Sequence, residues 1–528
     1  MSRFDWLSEY LARLQDEHVM VHHGDAVQLA PAHCLVLDAE DWGKAAQVAA
    51  DFGCRWAGLW GDPVADQVTI RACLVYQGDY VLLVTQVPLA NPVIASHTTS
   101  FPAADRLERH LQDMLGIAIL DHPDERRWSR HQAWSEEHFP LRLDFPVAGE
   151  PPKPAPADAG YPFGRIQGSG VYQIPVGPVH AGIIEPGHFR FQVVGEEVLK
   201  LEARLGYVHK GIEKIAVGRD SKGVSRLAGR VSGDSTVAHT WAACMAMERA
   251  TGTRVPERGL FLRAILAERE RIANHLGDIG AICNDVGFAF MWGQCARLRE
   301  QWQRRSQKLF GHRMMMDAIQ PGGVTQDLDS TGIGLLRADH DTLRVEIKPL
   351  FGIIDDQPSL EDRLVTTGYL SKAQAQLLGC TGYVGKASGQ DFDVRHDHIY
   401  APYDAFPPEV PQVSEGDVAA RVRVRMLEIE NSLLLMDQLL QNLPQGPVSV
   451  ELQDAEPNAA GIGFVDGWRG EIITFVRFDG EGNIARYFPR DPSWFLWPAL
   501  ERLIHGNIVP DFPVCNKSVN GSYSGQDL

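Results

Sequence analysis

Apolar residues recur at two spacings along this chain, and the switch between them sets out its architecture. Near the start Phe4, Leu7, Leu11 and Leu14 fall three or four residues apart, the repeat that puts side chains on one helix face. Runs rich in β-branched and apolar residues at His33–Leu37, Val68–Val75 and Tyr80–Val87 predict strands. Residues 1–146 therefore read as an α+β domain. The stretch 147–160 holds four prolines and two glycines without an apolar period, which predicts an extended linker. From residue 161 the pattern is β-like to about Ala203 and then turns helical. Helices are predicted over Thr236–Thr251, Leu260–Ile282 and Ala419–Leu443, short strands over Gly463–Tyr487, and a last helix over Trp494–Ile508. The second unit, 161–528, is mainly helical with small β elements at both ends, and the fold class is α+β. The charged run Glu268-Arg-Glu-Arg271 inside one of these helices reads as a solvated face.

Composition narrows the function. Hydrophobic residues make up 44 % and charged residues 22 %, a balance that supports packed cores. The net charge of −18 opposes nucleic acid and anionic lipid as partners, since both need clustered Lys and Arg. No apolar run approaches the ~20 residues that span a bilayer. The N-terminal segment carries Asp5 early and lacks the apolar core of a signal peptide. Any membrane association is expected to run through partner subunits. None of the eight cysteines lies three residues from another, so there is no local thiolate pair for zinc, iron–sulfur or nickel. Cys244 reads as a packed core thiol.

Motifs in the second unit carry a resemblance. Gly177-Pro-Val-His-Ala-Gly-Ile-Ile-Glu-Pro-Gly-His188, Leu205-Gly-Tyr-Val-His-Lys-Gly-Ile-Glu-Lys214, Asn274-His-Leu-Gly-Asp, Gln320-Pro-Gly-Gly-Val324 and Arg490-Asp-Pro-Ser-Trp-Phe occur in this order. The region 165–528 resembles the large subunit of group 4 [NiFe] hydrogenases and the forty-nine-kilodalton subunit of complex I. The stretch Glu108-Arg-His-Leu-Gln-Asp113-Met-Leu-Gly116-Ile in the first unit resembles the thirty-kilodalton subunit of complex I. A fusion in this order is typical of hydrogenase-4 and formate hydrogenlyase large subunits.

The resemblance implies two CxxC pairs for nickel and iron, one shortly after an Arg and one near the end of the unit. Here they fall on Arg230-Val-Ser232-Gly-Asp-Ser235 and Asn520-Gly-Ser522-Tyr-Ser-Gly525. Serine hydroxyls are hard donors and a glycine offers none, whereas nickel with low-spin iron needs soft sulfur. The expectation is a large subunit without its own nickel–iron centre, and the four changes oppose an active hydrogenase. The rest of the frame stays, with Arg230, His239, Arg490 and Asp491 expected around the emptied cavity.

Complex I, which also lacks these cysteines, uses that cavity for a quinone headgroup held by a His backed by an Asp, and by a Tyr. The His falls on His188, the Asp on Asp285 and the Tyr on Arg230. An Asp that orients an imidazole raises its proton affinity, so His188 and Asp285 form the candidate proton-donor pair. The resemblance further implies a small partner with a [4Fe–4S] cluster, a ferredoxin-like subunit and antiporter-like membrane subunits. This chain would sit peripherally on the cytoplasmic face of the inner membrane, bind no cofactor of its own, and accept a quinone or another redox substrate. The alternative is a non-catalytic scaffold with a vestigial site.

Overall fold

The computed structural model describes residues 5–22, 29–131, 134–135, 137–149, 160–182 and 184–528. Phe4 of the first helical pattern, and most of the proline-rich linker 147–160, lie outside them.

The first unit runs α1 (Asp5–Asp16), β1 (Val21–His22), β2 (His33–Leu37), α2 (Trp42–Phe52), β3 (Arg55–Val64), β4 (Gln67–Tyr76), β5 (Asp79–Pro88), β6 (Val93–Ala95), α3 (Asp105–Leu115) and β7 (Ala118–Leu120). Its main sheet has the order β1-β2-β5-β4-β3, with β2 and β5 parallel and the remaining pairs antiparallel. The strands read from periodicity match β2, β4 and β5 to within a residue at each end. Eight consecutive residues of β4 are buried, so this strand is covered on both faces, not one.

The second unit opens with β8 (Val171–Val176), β9 (His188–Val194) and β10 (Glu197–Arg204), an antiparallel sheet in the order β10-β9-β8. Helices α4 (Ile212–Ile215), α5 (Ser221–Ala228), α6 (Thr236–Thr251), α7 (Glu257–Asp285) and α8 (Ala289–Phe310) follow. A short hairpin, β11 (Ile319–Gln320) with β12 (Gly323–Val324), precedes α9 (Ser330–Asp355). Four short helices come next: α10 (Pro358–Leu364), α11 (Lys372–Leu377), α12 (Gly382–Ala387) and α13 (Val394–Asp397). The chain closes with α14 (Val418–Gln441), the meander β13 (Ala460–Gly467), β14 (Gly470–Phe478) and β15 (Ile484–Arg490), then α15 (Ser493–Leu503), α16 (Phe512–Val519) and α17 (Tyr523–Asp527). The last predicted helix stops at Leu503, five residues early.

The two units are bolted together through their sheets. Trp60 of β3 stacks on Phe488 of β15 with ring centroids 5.4 Å apart. Asp62 takes both arms of Arg477 at 2.8 and 2.9 Å. Glu471 receives Arg55 at 2.7 and 3.0 Å, the Tyr80 hydroxyl at 2.5 Å, and Arg490. Burial raises the Glu471 carboxyl, but Arg55 and Arg490 overcome it and hold it down at about 2. This contact is what covers the second face of β4.

At the centre of the second unit, β13 lies almost on the backbone of α6. A Cβ at Gly461 would stand 2.0 Å from the Ala246 carbonyl, and one at Gly463 would stand 2.1 Å from that of Ala242. Glycine is the side chain this approach admits. Helix α7 is buried nearly all round, and this corrects the reading of its charged run. Glu268, Arg269, Glu270 and Arg271 are 0, 0, 5 and 1 % exposed. Charges at such depth persist only when paired, and Glu268 accepts from Arg395 at 2.8 and 3.0 Å, Ser432 at 2.7 Å and Tyr403 at 2.9 Å. Local spacing on one helix cannot reveal partners more than a hundred residues away.

Candidate functional site

Two short segments build the site: the turn between α5 and α6, and the segment that leaves α16. Asn520 closes α16 in the left-handed conformation, φ 42° and ψ 48°, which asparagine tolerates. The chain then turns inward, and every residue from 521 to 528 is buried. Opposite, the Asp234 carbonyl accepts from Asn274 Nδ2 at 2.7 Å and from Trp468 Nε1 at 2.9 Å, which fixes the 232–235 turn.

The four positions expected to gather do so. Ser232 Oγ lies 2.8 Å from Ser522 Oγ and donates to Asp234 Oδ1 at 2.7 Å. The Gly525 amide donates to Ser522 Oγ at 2.9 Å. Ser235 Oγ accepts from Arg469 Nη1 at 3.1 Å, and the same guanidinium grips Asp234 at 2.6 and 2.7 Å. Burial would push the Asp234 carboxyl up, but Arg469, helped by Ser232, holds it far below the usual range.

These contacts fix where the hydroxyl protons point. Asp234 is ionised and only accepts, so the Ser232 hydroxyl points at it. Ser522 must then donate to Ser232 while accepting from Gly525 and, at 3.4 Å, standing beside Ser524 Oγ. The hydroxyls satisfy one another. At Gly525 a Cβ would stand 2.7 Å from the Asp491 carboxyl carbon, so Asp491 fills the space above this glycine. Asp491 is held by His239 Nε2 at 2.8 Å and by the Ser493 amide at 2.7 Å. Its carboxyl, raised by burial, is brought below the usual range by His239.

The other expected residues separate. His239 and Asp491 belong to the cluster. Arg490 instead reaches back to Glu471 in the contact between the sheets. Arg230 faces outward, 40 % exposed, in an ion pair with Asp317. His188, at the start of β9, sits with its Nδ1 3.1 Å from the Gly177 carbonyl and its Nε2 accepting from Arg190 Nε at 3.2 Å. That arrangement is the neutral ring with the proton on Nδ1. Asp285 is exposed at the end of α7, where burial raises its carboxyl and Lys517 lowers it. Among the described residues His188 and Asp285 form no hydrogen bond or ion pair with each other.

Asp234 and Arg469 organise the site, yet were not expected. Asp234 stood inside the Arg230–Ser235 motif, where a carboxylate between two hydroxyl positions was the available signal. Arg469 lies on the β13–β14 turn, and nothing in its local sequence marks it. Asp527 is a third: its carboxylate accepts from the Gly206 and Val208 amides at 2.8 and 3.0 Å, and burial pushes it up to about 7.

The donor set does not fit a nickel–iron centre. Three hydroxyls and a glycine offer no soft ligand, and Cys244 is fully buried in α6 with its thiol pushed up by burial. Among the described residues no group of three or more His, Cys, Asp or Glu side chains converges on a metal position. No described helix is long and apolar enough to cross a membrane.

Known proteins share this frame. Residues 285–463 match the family of the 49 Kd subunit of respiratory-chain NADH dehydrogenase, 35–151 its 30 Kd subunit, and 210–277 the nickel-dependent hydrogenases. The chain is 34 % identical over 444 residues to formate hydrogenlyase subunit 5 of Escherichia coli (strain K12), covering 84 % of this chain and 78 % of that one. It is 33 % identical to hydrogenase-4 component G of the same organism, over 82 % of this chain and 75 % of the relative. It is 35 % identical to the carbon monoxide-induced hydrogenase of Rhodospirillum rubrum, over 66 % of this chain and 97 % of the relative. A solved chain of the membrane-bound sulfane sulfur reductase, an archaeal respiratory membrane complex, superposes with a TM-score of 0.64 at 27 % identity, covering 68 % of this chain and 98 % of that one. The chain belongs to the family that unites fused thirty- and forty-nine-kilodalton complex I subunits with group 4 hydrogenase large subunits.

Proposed function

We propose that this chain is a peripheral core subunit of a membrane-bound respiratory complex of the complex I and energy-converting hydrogenase kind. Electrons reach it from a [4Fe–4S] cluster in a small partner subunit, with a ferredoxin-like subunit upstream. Antiporter-like membrane subunits couple the redox step to ion translocation on the cytoplasmic face. One observation carries the reading: Ser232, Ser235, Ser522 and Gly525 gather at one interior spot with His239 and Asp491 beside them, and hydroxyls with a glycine occupy the expected metal positions. The chain supplies no nickel–iron centre, and its site takes a redox substrate that approaches past His188, a quinone being one such group. The domain boundaries at 146 and 160 belong to the same reading.

A second reading has its own support. The serine hydroxyls satisfy each other and Asp491 fills the space over Gly525, as in a site closed for structural duty. In that case the chain is a scaffold. The complex, purified intact from its host, separates the two. Nickel below stoichiometry, with loss of turnover in His188→Ala and Asp285→Asn complexes that still assemble, supports the redox role. Unchanged turnover in both assigns the scaffold role, and stoichiometric nickel in this subunit refutes both.

A further inference from the structure

Behind the serine site lies a second polar cluster. Its members come from five elements: Glu268, Arg271 and His275 on α7, Lys386 on α12, Arg395 on α13 with Asp393 as that helix's N-cap, Glu428 on α14, and Asp466 on β13. All are at most 3 % exposed. Lys386 Nζ bridges Asp393 and Glu428 at 2.7 Å each, Arg395 bridges Asp393 and Glu268, and His275 Nε2 meets Glu428 at 2.6 Å. The phenol of Tyr403 donates to Glu268, and that of Tyr400 accepts from the Asp466 amide. Arg425 faces His275 from α14, but its charge is met by Asp278 at 3.1 Å.

The charges do not balance. Four carboxylates, Glu268, Asp393, Glu428 and Asp466, face three permanent cations, Arg271, Lys386 and Arg395. An unmatched charge in a dry interior is costly, and the usual relief is a proton. His275 is the obvious carrier, but its Nδ1 has no hydrogen-bond partner. As a neutral ring with its proton on Nε2, His275 leaves there only a lone pair. As an imidazolium it would bury an unsatisfied N–H, which is the costlier state. Bond lengths indicate where the proton goes instead. Charge-assisted hydrogen bonds are short. Asp393 receives its side-chain cations at 2.7 to 3.0 Å, whereas Asp466 has the Val394 amide at 3.2 Å and Arg271 at 3.4 Å.

We infer that Asp466 is a buried proton-binding site, the one carboxyl of the core cluster that loads and releases a proton while its neighbours stay ionised. Burial and the adjacent Asp393 raise its carboxyl to about 6, against the pull of Lys386, Arg271 and Arg395. Releasing the proton leaves one uncompensated negative charge among α7, α12, α13 and β13. The inference stands whether or not the serine site is catalytic.

The sign follows from the raised carboxyl. Folded chain keeps the proton to higher pH than unfolded chain does. Its stabilising contribution is therefore whole below the ordinary carboxylate range and is lost as pH rises through about 6. Asparagine mimics the loaded acid. Infrared titration of the full chain is expected to show a buried carboxylic-acid band growing as pH falls through about 6, and Asp466→Asn removes it. Asp466→Asn also melts above the wild type at pH 8, a gap that closes towards pH 4. Asp393→Asn removes the neighbouring charge that helps to raise Asp466, so its band appears only at lower pH than in the wild type. A band that survives Asp466→Asn, or an Asp466→Asn chain that melts below wild type at pH 8, overturns the inference. So does a nitrogen-15 spectrum of the wild-type chain in which His275 is charged throughout, a readout that needs no variant.

Discussion

Two buried polar clusters stand one layer of aromatic rings apart, and they are built on opposite principles. Trp468 and Tyr383 separate them: both rings lie about 6 Å from His275 on one side, and Trp468 Nε1 bonds the Asp234 carbonyl on the other. The serine cluster is held by neutral hydroxyls around two paired carboxylates, Asp234 with Arg469 and Asp491 with His239. The deeper cluster is held by full charges. Hydroxyls can trade partners at small cost, because each both donates and accepts. Buried charges cannot, because removing one partner strands the other. The contrast shows where this frame can accept hydroxyls: partners exchange cheaply at the serine positions, whereas the charges that tie α7, α12, α14 and β13 together cannot be exchanged one at a time.

The largest test of the contrast is to break the charged side. Arg395→Met takes from Glu268 and Asp393 the cation they share, and a loss of about 3–5 kcal/mol is expected from a denaturant or thermal unfolding series. Glu471→Gln at the contact between the sheets is expected to cost a similar amount at pH 7. Its carboxyl is depressed to about 2, so its contribution is present above about 4.5 and drains away as pH falls towards 2. A melting-temperature gap between wild type and variant that narrows on acidification checks this, and a constant gap would deny it. Gly525→Ala comes next. The added methyl meets the Asp491 carboxyl and is expected to cost about 1–3 kcal/mol, with an altered His239 resonance as its signature. Ser522→Ala on the neutral side is expected to cost about 1 kcal/mol, since Ser232 keeps Asp234 as a partner. Smallest is Arg230→Gln. Its ion pair with Asp317 is exposed on both sides, so the change stays within about 1 kcal/mol and disappears in high salt. A Ser522→Ala loss equal to that of Arg395→Met would erase the distinction.

Legibility in the sequence followed range. Strands β2, β4 and β5 and helices α6, α7 and α14 could be read because period 2 and period 3.6 are local properties. The gathering of Ser232, Ser235, Ser522 and Gly525 was legible through the motif frame, which ties positions 290 residues apart in sequence. What the sequence hid was pairing. The Glu268–Arg271 run looks like a solvated face until Arg395, Lys386 and Glu428 arrive from other elements. Arg490, the last residue of β15, turns to Glu471 on the neighbouring strand β14, while Asp491 lies past the strand's end. Arg230 was expected inside and lies outside, because the turn after α5 presents it to Asp317.

The bare glycines of β13 have a mechanical consequence. With Gly461 and Gly463 seated on the α6 carbonyls, that strand and that helix have no cushion of side chains to absorb relative sliding. One carries Asp466 and the other His239, and both lie at the end of the pair where Gly467 meets Ala238, so strand and helix hold the proton-binding group and the serine cluster's histidine in one stiff seat.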